Sequence, residues 1–435
     1  MNILFKNIKG LVQAWDHPPA LLSGHHMGHL PVVEDAWLLV RQGVIEDFGP
    51  MKSCPKVIAK QIDARDRFVF PSFIDSHTHM VFARSREVEF EKRIEGKTQE
   101  EIEAEGLGIC RSAELLRDTS EEELYQKAQV RLERIIATGT GAVEIKSGYG
   151  LGLESELKML RVIRRLHQKS LIPIRATFMG AHAIPVSYRA YREDYIRLLV
   201  EDMLPKIARE GLADYIDAFC DRGFFTPEET DRILKAGEAY GLRPKIHTNE
   251  LCHSGGVSIG KARHALSMDG LVHVRQQELR SLRESGAIAT VLPGPSFFAN
   301  LPFPDARRLI DEDLPVALAS DYNPGTSPSG NLCFIFSLAC IKLGMTVAEA
   351  VHALTVNAAA AIGLEEVMGS ISRGKKANIF MTVPMPSMAY LPYSFANNLI
   401  EKVVLEGRVY PPEREQVQGH PTTHGSKGKT KAKTH

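Results

Sequence analysis

Eight short apolar segments alternate with helical stretches along the middle of this chain. That alternation restricts the possible fold more than any other feature. The strand candidates are 72–79, 141–147, 172–179, 215–220, 243–248, 269–274, 287–292 and 315–320, with helical stretches such as 154–168, 191–210, 227–240 and 276–285 between them. Regular strand–helix repeats cover both faces of a parallel sheet. Eight of them, in a stretch that fits the roughly 250 residues of such folds, predict an α/β architecture closed as a (β/α)8 TIM-like barrel, with an insertion after the first strand.

The chain has 435 residues, enough for a barrel and a smaller domain. Residues 1–66 read as short strands and turns, for example 36–40 and 43–45. The barrel region is expected over 67–365, with two late helices at about 330–343 and 347–362. Strand-like pieces return at 369–371, 376–381, 400–405 and Val409, within 366–413. Both chain ends are therefore expected to pack as one small composite β domain. The insert from Ala20 to Leu30, with His25, His26 and His29, reads as a flexible loop, because no partner ligand or strand frames those histidines. Residues 414–435, with Lys427, Lys429, Lys431 and Lys433, read as a disordered basic tail.

Lys plus Arg and Asp plus Glu both number 53, so the formal net charge is zero. No overall field points to nucleic acid or to an anionic membrane, and neither is an expected partner. The six cysteines are scattered without a C-x-x-C pair, which predicts reduced thiols and a cytoplasmic protein. Met1 to Lys6 carries no signal-peptide apolar region, and no apolar run is long enough to span a bilayer.

The chemistry is concentrated at predicted strand ends. His77-Thr78-His79 closes the first strand candidate, and side chains two apart on a strand share a face. His247 ends the fifth and Asp321 follows the eighth. A barrel gathers the C-terminal ends of these strands at one mouth, where its reactions occur. Three imidazoles and one carboxylate suit zinc or iron and leave a place for water. The metal ligands are expected to be His77, His79, His247 and Asp321. The competing reading is hydrogen-bonded histidines with Asp321 as an ion-pair partner or cap. A metal lowers the pKa of its water, and Asp321 can carry that water's proton to a leaving nitrogen. This describes hydrolysis of an amide or amidine.

Longer motifs accompany these residues: His77-Thr78-His79-Met80-Val81-Phe82, Ser85-Arg86-Glu87, Lys146-Ser147-Gly148-Tyr149-Gly150, Gly180-Ala181-His182, and Lys245-Ile246-His247 with Glu250. Further on come Leu292-Pro293-Gly294, Asp321-Tyr322-Asn323-Pro324-Gly325-Thr326-Ser327-Pro328, Thr355-Val356-Asn357-Ala358-Ala359 and Pro392-Tyr393. Together they resemble the amidohydrolase superfamily and, more narrowly, the imidazolonepropionase family. The resemblance covers nearly the whole chain apart from the N-terminal insert and the basic tail. It implies hydrolysis of 4-imidazolone-5-propanoate to N-formimidoyl-L-glutamate in histidine degradation. It also implies one zinc or iron ion per subunit and a homodimer.

Carried onto this sequence, the resemblance makes Arg86, Tyr149, His182, Glu250, Asn323, Gly325 and Thr326 substrate contacts, and His182, Glu250 and Asp321 catalytic. An arginine fork at Arg86 matches the substrate's propionate. Bland readings stand beside these: a surface charge for Arg86, a packing ring for Tyr149, a satisfied core histidine for His182 and a helix cap for Glu250. No lysine occurs in 217–222 on the fourth strand, which speaks against a bridged two-metal site, although Asp221 remains as an acid there. Lys146 on the second strand reads as an ion-pair or packing residue.

Two positions depart from the resemblance. Gly270 stands where the family carries histidine, and His273 lies three residues on, restorable to the site only by a bulge. Asn378 stands where related enzymes commonly carry aspartate. The alternatives to imidazolonepropionase activity are another cyclic amidohydrolase or deaminase, and a catalytically silent relative because of Gly270.

Overall fold

A computed structural model describes residues 2–395 and 397–411. Eight parallel strands form its centre: Phe73–Asp75, Thr140–Lys146, Ile174–Ala181, Tyr215–Cys220, Ile246–Thr248, Ser267–Gly270, Ile288–Val291 and Val316–Leu318. Each pairs in parallel with the next. Nearly every residue in them is buried, as strands covered on both faces must be. The first and eighth strands meet just beyond their ends. The Asp321 N–H donates to the His77 carbonyl at 3.0 Å and the His79 N–H to the Tyr322 carbonyl at 2.8 Å. The barrel is thereby closed, as the alternating pattern predicts.

The helices follow from local signals. Thr226 and Glu229 form a reciprocal capping box ahead of Pro227–Glu238, with proline in the first turn. Leu153–Lys169 buries Leu157, Leu160, Ile163 and Leu166 at helical spacing against the sheet. The stretch 191–210 is helical throughout, but a π-helical turn, Leu198–Met203, interrupts it between Arg192–Arg197 and Leu204–Glu210.

Beside the barrel lies a second sheet built from both chain ends. Its order runs Arg408–Tyr410, Ile400–Leu405, Ile379–Thr382, Phe68–Pro71, Ile3–Val12, Val32–Arg41 and Val44–Pro50, with Lys60–Asp63 also on Ile3–Val12. It has its own apolar core, including Phe5, Leu38, Val40, Ile379 and Val404. Phe68–Pro71 leads directly into the first barrel strand, so one stretch of chain belongs to both sheets.

Four expectations change. The first strand stops at Asp75, and the two histidines flank Thr78, which continues it only as a single parallel bridge to Tyr322. The sixth strand is Ser267–Gly270, because Gly270 at φ +100° and Leu271 at φ +53° turn the chain. Residues 369–371 make no strand; Ile371 forms a single bridge to Ala14. The Ala20–Leu30 insert is packed against the barrel, not a loose loop. Its 3-10 turn Gly24–Gly28 buries Met27, and Asn357 bonds both the N–H and the carbonyl of Leu22. Among the described residues no helix is long and apolar enough to cross a membrane. The expected tail, 414–435, lies outside the described residues.

Candidate metal centre and active site

His77, His79 and Asp321 converge at the barrel mouth. All three are buried, and one ligand atom from each lies within 4.8 Å of the others. Asp321 Oδ1 is 3.6 Å from His77 Nε2 and 4.0 Å from His79 Nε2. Each imidazole is held from behind through Nδ1. His77 Nδ1 meets Asp269 Oδ2 at 2.7 Å and His79 Nδ1 meets the Ser147 carbonyl at 3.0 Å. Both acceptors are oxygen, so each Nδ1 carries the hydrogen and each Nε2 keeps its lone pair. His77 Nε2 is fully buried and makes no hydrogen bond. A buried nitrogen left bare is costly, and a metal ion satisfies it. Burial, helped by Lys146 beside His77 and by His182 beside His79, pushes both imidazoles well below their ordinary pKa. They are neutral, as ligands must be.

His247 stands close, its ring centre 5.0 Å from that of His77. Its Nε2 is engaged by Glu250 Oε2 at 2.5 Å, while its buried Nδ1 has no partner. The metal-ready trio therefore excludes this histidine. Burial lowers its pKa, but the hydrogen bond and charge of Glu250, with Asp321 and Asp217, outweigh burial and raise it to about 9. Burial holds the Asp321 carboxyl well above its usual range. Asn323 Nδ2 donates to Asp321 Oδ2 at 2.9 Å and pins it.

The remaining expected residues divide. Tyr149 packs edge-on to His79 with ring centres 5.7 Å apart, with Arg86 beside it. His182 stacks on His79 at 4.8 Å and 18°. Its Nδ1 meets the Gly148 carbonyl at 3.1 Å, and burial, with His247 nearby, takes its pKa to about 3. His182 is thus neutral with Nε2 as an acceptor. In that state it can receive an N–H.

Arg86 spends its Nε–Nη2 edge on Glu89, at 2.7 and 2.5 Å, and keeps the Nη1–Nη2 edge for a second partner. A Cβ on Gly325 would come within 2.4 Å of Arg86 Nη1, so glycine lets the guanidinium close on the loop. Asn323 and Thr326 serve that loop. Asn323 Oδ1 accepts the N–H groups of Gly325 and Thr326, both at 2.8 Å, and its Nδ2 reaches Thr326 Oγ1 at 3.0 Å. The Asn323 amide is filled by these bonds and organises the loop around Asp321.

His273 does not return to the site: its ring packs 5.9 Å from His253, and its N–H is bonded to the Asn249 carbonyl. No bulge restores it. Gly270 lines a small cavity with Glu250, Val272, Leu292 and Ser296.

The sequence comparisons agree with this geometry. The sequence profile of the amidohydrolase family matches residues 68–410. The imidazolonepropionase of Christiangramia forsetii is 46% identical over 410 residues, covering 94% of this chain and 100% of that protein. That of Flavobacterium psychrophilum is 48% identical with the same coverage. The chain belongs to the imidazolonepropionase family of amidohydrolases. Its fold is shared more widely. A zinc-bound adenosine deaminase from Xanthomonas campestris superposes with a TM-score of 0.69 at 14% identity, covering 96% of this chain and 94% of that one.

Within this amidohydrolase, sequence reasoning passed over Asp269, Glu89 and the partners of Lys146. Asp269 sits one residue before the glycine departure, on the fully buried sixth strand; a carboxylate on a strand expected to be buried was the available signal. Lys146 is an ion-pair residue, as expected, 2.8 Å from Glu144 and 2.7 Å from Asp217. Asn378 ties the two sheets together: its Nδ2 donates to the Gly141 carbonyl at 3.1 Å and its Oδ1 accepts the Glu406 N–H at 3.0 Å. An aspartate could not donate the first bond.

Proposed function

We propose that this chain opens the ring of 4-imidazolone-5-propanoate to N-formimidoyl-L-glutamate, using one zinc or iron ion per subunit held by His77, His79, His247 and Asp321. The observation that carries this reading is the bare, buried Nε2 of His77 aimed at the same point as His79 and Asp321, within an imidazolonepropionase chain. His247 would join as fourth ligand by exchanging its contact with Glu250.

A bound ion of this kind supplies a water acidic enough to act as nucleophile at neutral pH. Asp321 takes the proton released as water adds to the ring carbonyl, and returns it to the ring nitrogen as the carbon–nitrogen bond breaks. The carbonyl carbon leaves as a carboxylate. Arg86 holds the propionate through its outer Nη1–Nη2 edge, with the Tyr149 hydroxyl beside it. His182 Nε2 or Glu250, the latter freed once His247 turns to the ion, would accept the single ring N–H. Asn323, Gly325 and Thr326 set the loop that fixes Asp321 and Arg86. All six cysteines are unpaired thiols, in keeping with a cytoplasmic enzyme; the reading includes a homodimer, which light scattering measures.

The test combines elemental analysis with a ring-opening assay on freshly made 4-imidazolone-5-propanoate. Purified protein should hold one equivalent of metal and turn the compound over. His247→Ala should lower kcat by about a hundredfold or more, as removal of a metal ligand exceeds the 10–100-fold cost of losing a supporting contact. Full turnover by metal-free protein, or by His247→Ala, would overturn the reading.

A further inference from the structure

Beneath the metal centre the barrel interior holds five ionisable side chains with no exposed surface: Glu144, Lys146, Asp217, Lys245 and Asp269. Lys146 Nζ lies 2.8 Å from Glu144 Oε1, 2.7 Å from Asp217 Oδ2 and 3.5 Å from Asp269 Oδ2. Lys245 Nζ contacts Glu144 Oε2, donates to the Ser76 and Ala361 carbonyls at 3.3 and 3.2 Å, and stands 4.0 Å from Asp269 Oδ2. Two ammonium groups thus face three carboxylates. Charges this deep are expensive to keep even when paired, and no step of the ring opening touches them.

The network ends on the metal centre. Asp217 Oδ1 accepts the His247 backbone N–H at 3.0 Å. Asp269 Oδ2 receives His77 Nδ1 at 2.7 Å, and its Oδ1 receives the Ser267 hydroxyl at 2.6 Å. Asp269 is therefore bonded on both oxygens and flanked by two cations, which fixes its plane. Both oxygens of Asp269 face donors, the Ser267 hydroxyl on Oδ1 and the two ammonium groups on Oδ2, so the contact with His77 places the hydrogen on Nδ1. The Nε2 is then turned toward Asp321, without a hydrogen-bond partner among the described residues.

We propose that Asp269 is a positioning residue of the metal centre, held by Lys146, Lys245 and Ser267 so that His77 keeps one tautomer and one ring orientation with Nε2 open to the ion. The buried charge network exists to hold that carboxylate still. The two lysines face the same carboxylate oxygen that meets His77, at 3.5 and 4.0 Å. Asp269 in turn raises the basicity of His77 as a ligand. The inference rests on the metal reading of the site but not on which ring is opened.

The experiment measures metal binding directly, by chelator competition for zinc and by the visible absorption of cobalt(II) placed in the full-length protein. Asp269→Asn keeps the shape and removes the charge. It should weaken metal binding about 10–100-fold and shift the cobalt absorption, while KM of the metal-saturated enzyme changes little. In a His77→Ala background the same substitution should add no further loss, because its effect passes through His77. A folded Asp269→Asn protein with unchanged affinity and spectrum would overturn the proposal, as would fully additive losses in the double variant. If Asp269→Asn does not fold, Ser267→Ala, which leaves every charge in place, decides: weaker metal binding supports the proposal and unchanged binding sinks it. Failure of the wild-type protein to bind either metal would instead remove the metal reading, and binding without ring opening would remove only the substrate.

Discussion

Gly270 is where this chain leaves its family's pattern, and its backbone explains why a side chain is absent. Its φ is +100°, a region closed to residues with a Cβ. A Cβ there would also lie 2.9 Å from the Thr248 carbonyl oxygen and 3.3 Å from His247 Cδ2. Thr248 and His247 belong to the neighbouring fifth strand, so the strain would fall on a proposed metal ligand. Gly270→Ala should therefore destabilise the protein by about 1–3 kcal/mol, and kcat should fall with it as the His247 ring is displaced. Gly270→His should be worse on both counts, since the rest of the ring must also find space. Urea unfolding and steady-state kinetics on the two variants check this. Equal stability and rate for Gly270→His would mean that the backbone relaxes readily and that the position was free for an imidazole. By contrast, His77, His79, His247 and Asp321 were legible in the sequence because each falls at the C-terminal end of a predicted barrel strand, where a barrel gathers its chemistry. Asp269 and the lysine pair were not, because a buried charge has meaning only through the residues facing it, and Asp217, Glu144 and His77 come from other strands.

The barrel strands were legible for a related reason. Apolar runs bounded by turns, separated by amphipathic helical stretches, leave few arrangements open, and segments such as Tyr215–Cys220 and Gln276–Ser285 fall where the pattern puts them. Ile371 misled because an apolar residue in an extended stretch looks like a strand whether or not a partner lies alongside. The histidine-bearing insert misled because its partners are more than three hundred residues away in sequence. There the 3-10 turn docks on the helix Val347–Leu354. His352 Nε2 donates to the His29 carbonyl at 2.9 Å, and its Nδ1 accepts from Gln13 Nε2 at 2.8 Å. Burial lowers the His352 pKa to about 4, the bond to His29 working weakly the other way. The unfolded chain thus binds a proton at its ordinary imidazole pKa, while the native chain takes it only near pH 4. Stability from this seam is complete above about pH 6.5 and is lost as pH falls through the interval down to about 4, an effect on the order of 3 kcal/mol. Unfolding free energy measured between pH 7 and 4 should therefore fall less steeply in His352→Gln than in the parent, by up to one proton's worth of slope. Parallel slopes would show that His352 binds its proton equally in the native and unfolded states.

Closure of the barrel ties these local arguments to the behaviour of the entire chain. The seam between the first and eighth strands is thin. Phe73–Asp75 and Val316–Leu318 are three residues each. They meet through the Asp321–His77 and His79–Tyr322 backbone bonds and through Asp75, which accepts the Ser320 N–H at 3.0 Å and its hydroxyl at 2.5 Å. The proposed ligands straddle this seam, with His77 and His79 on one side and Asp321 on the other. An ion held there acts as a clasp on the barrel as well as a participant in the reaction. Metal present at a hundred times its Kd stabilises the native state by about 2.7 kcal/mol. Treatment with a strong chelator should lower Tm by several degrees, and restoring zinc or iron should return it. The loss should be local in origin. Hydrogen exchange should quicken first at 73–79 and 320–323, where the seam opens, while the side sheet around Ile3–Val12 and Val32–Arg41, with its separate core, keeps its protection. A chelated protein that melts at the same temperature, or that loosens evenly through both sheets, would show that the barrel closes without help from the ion.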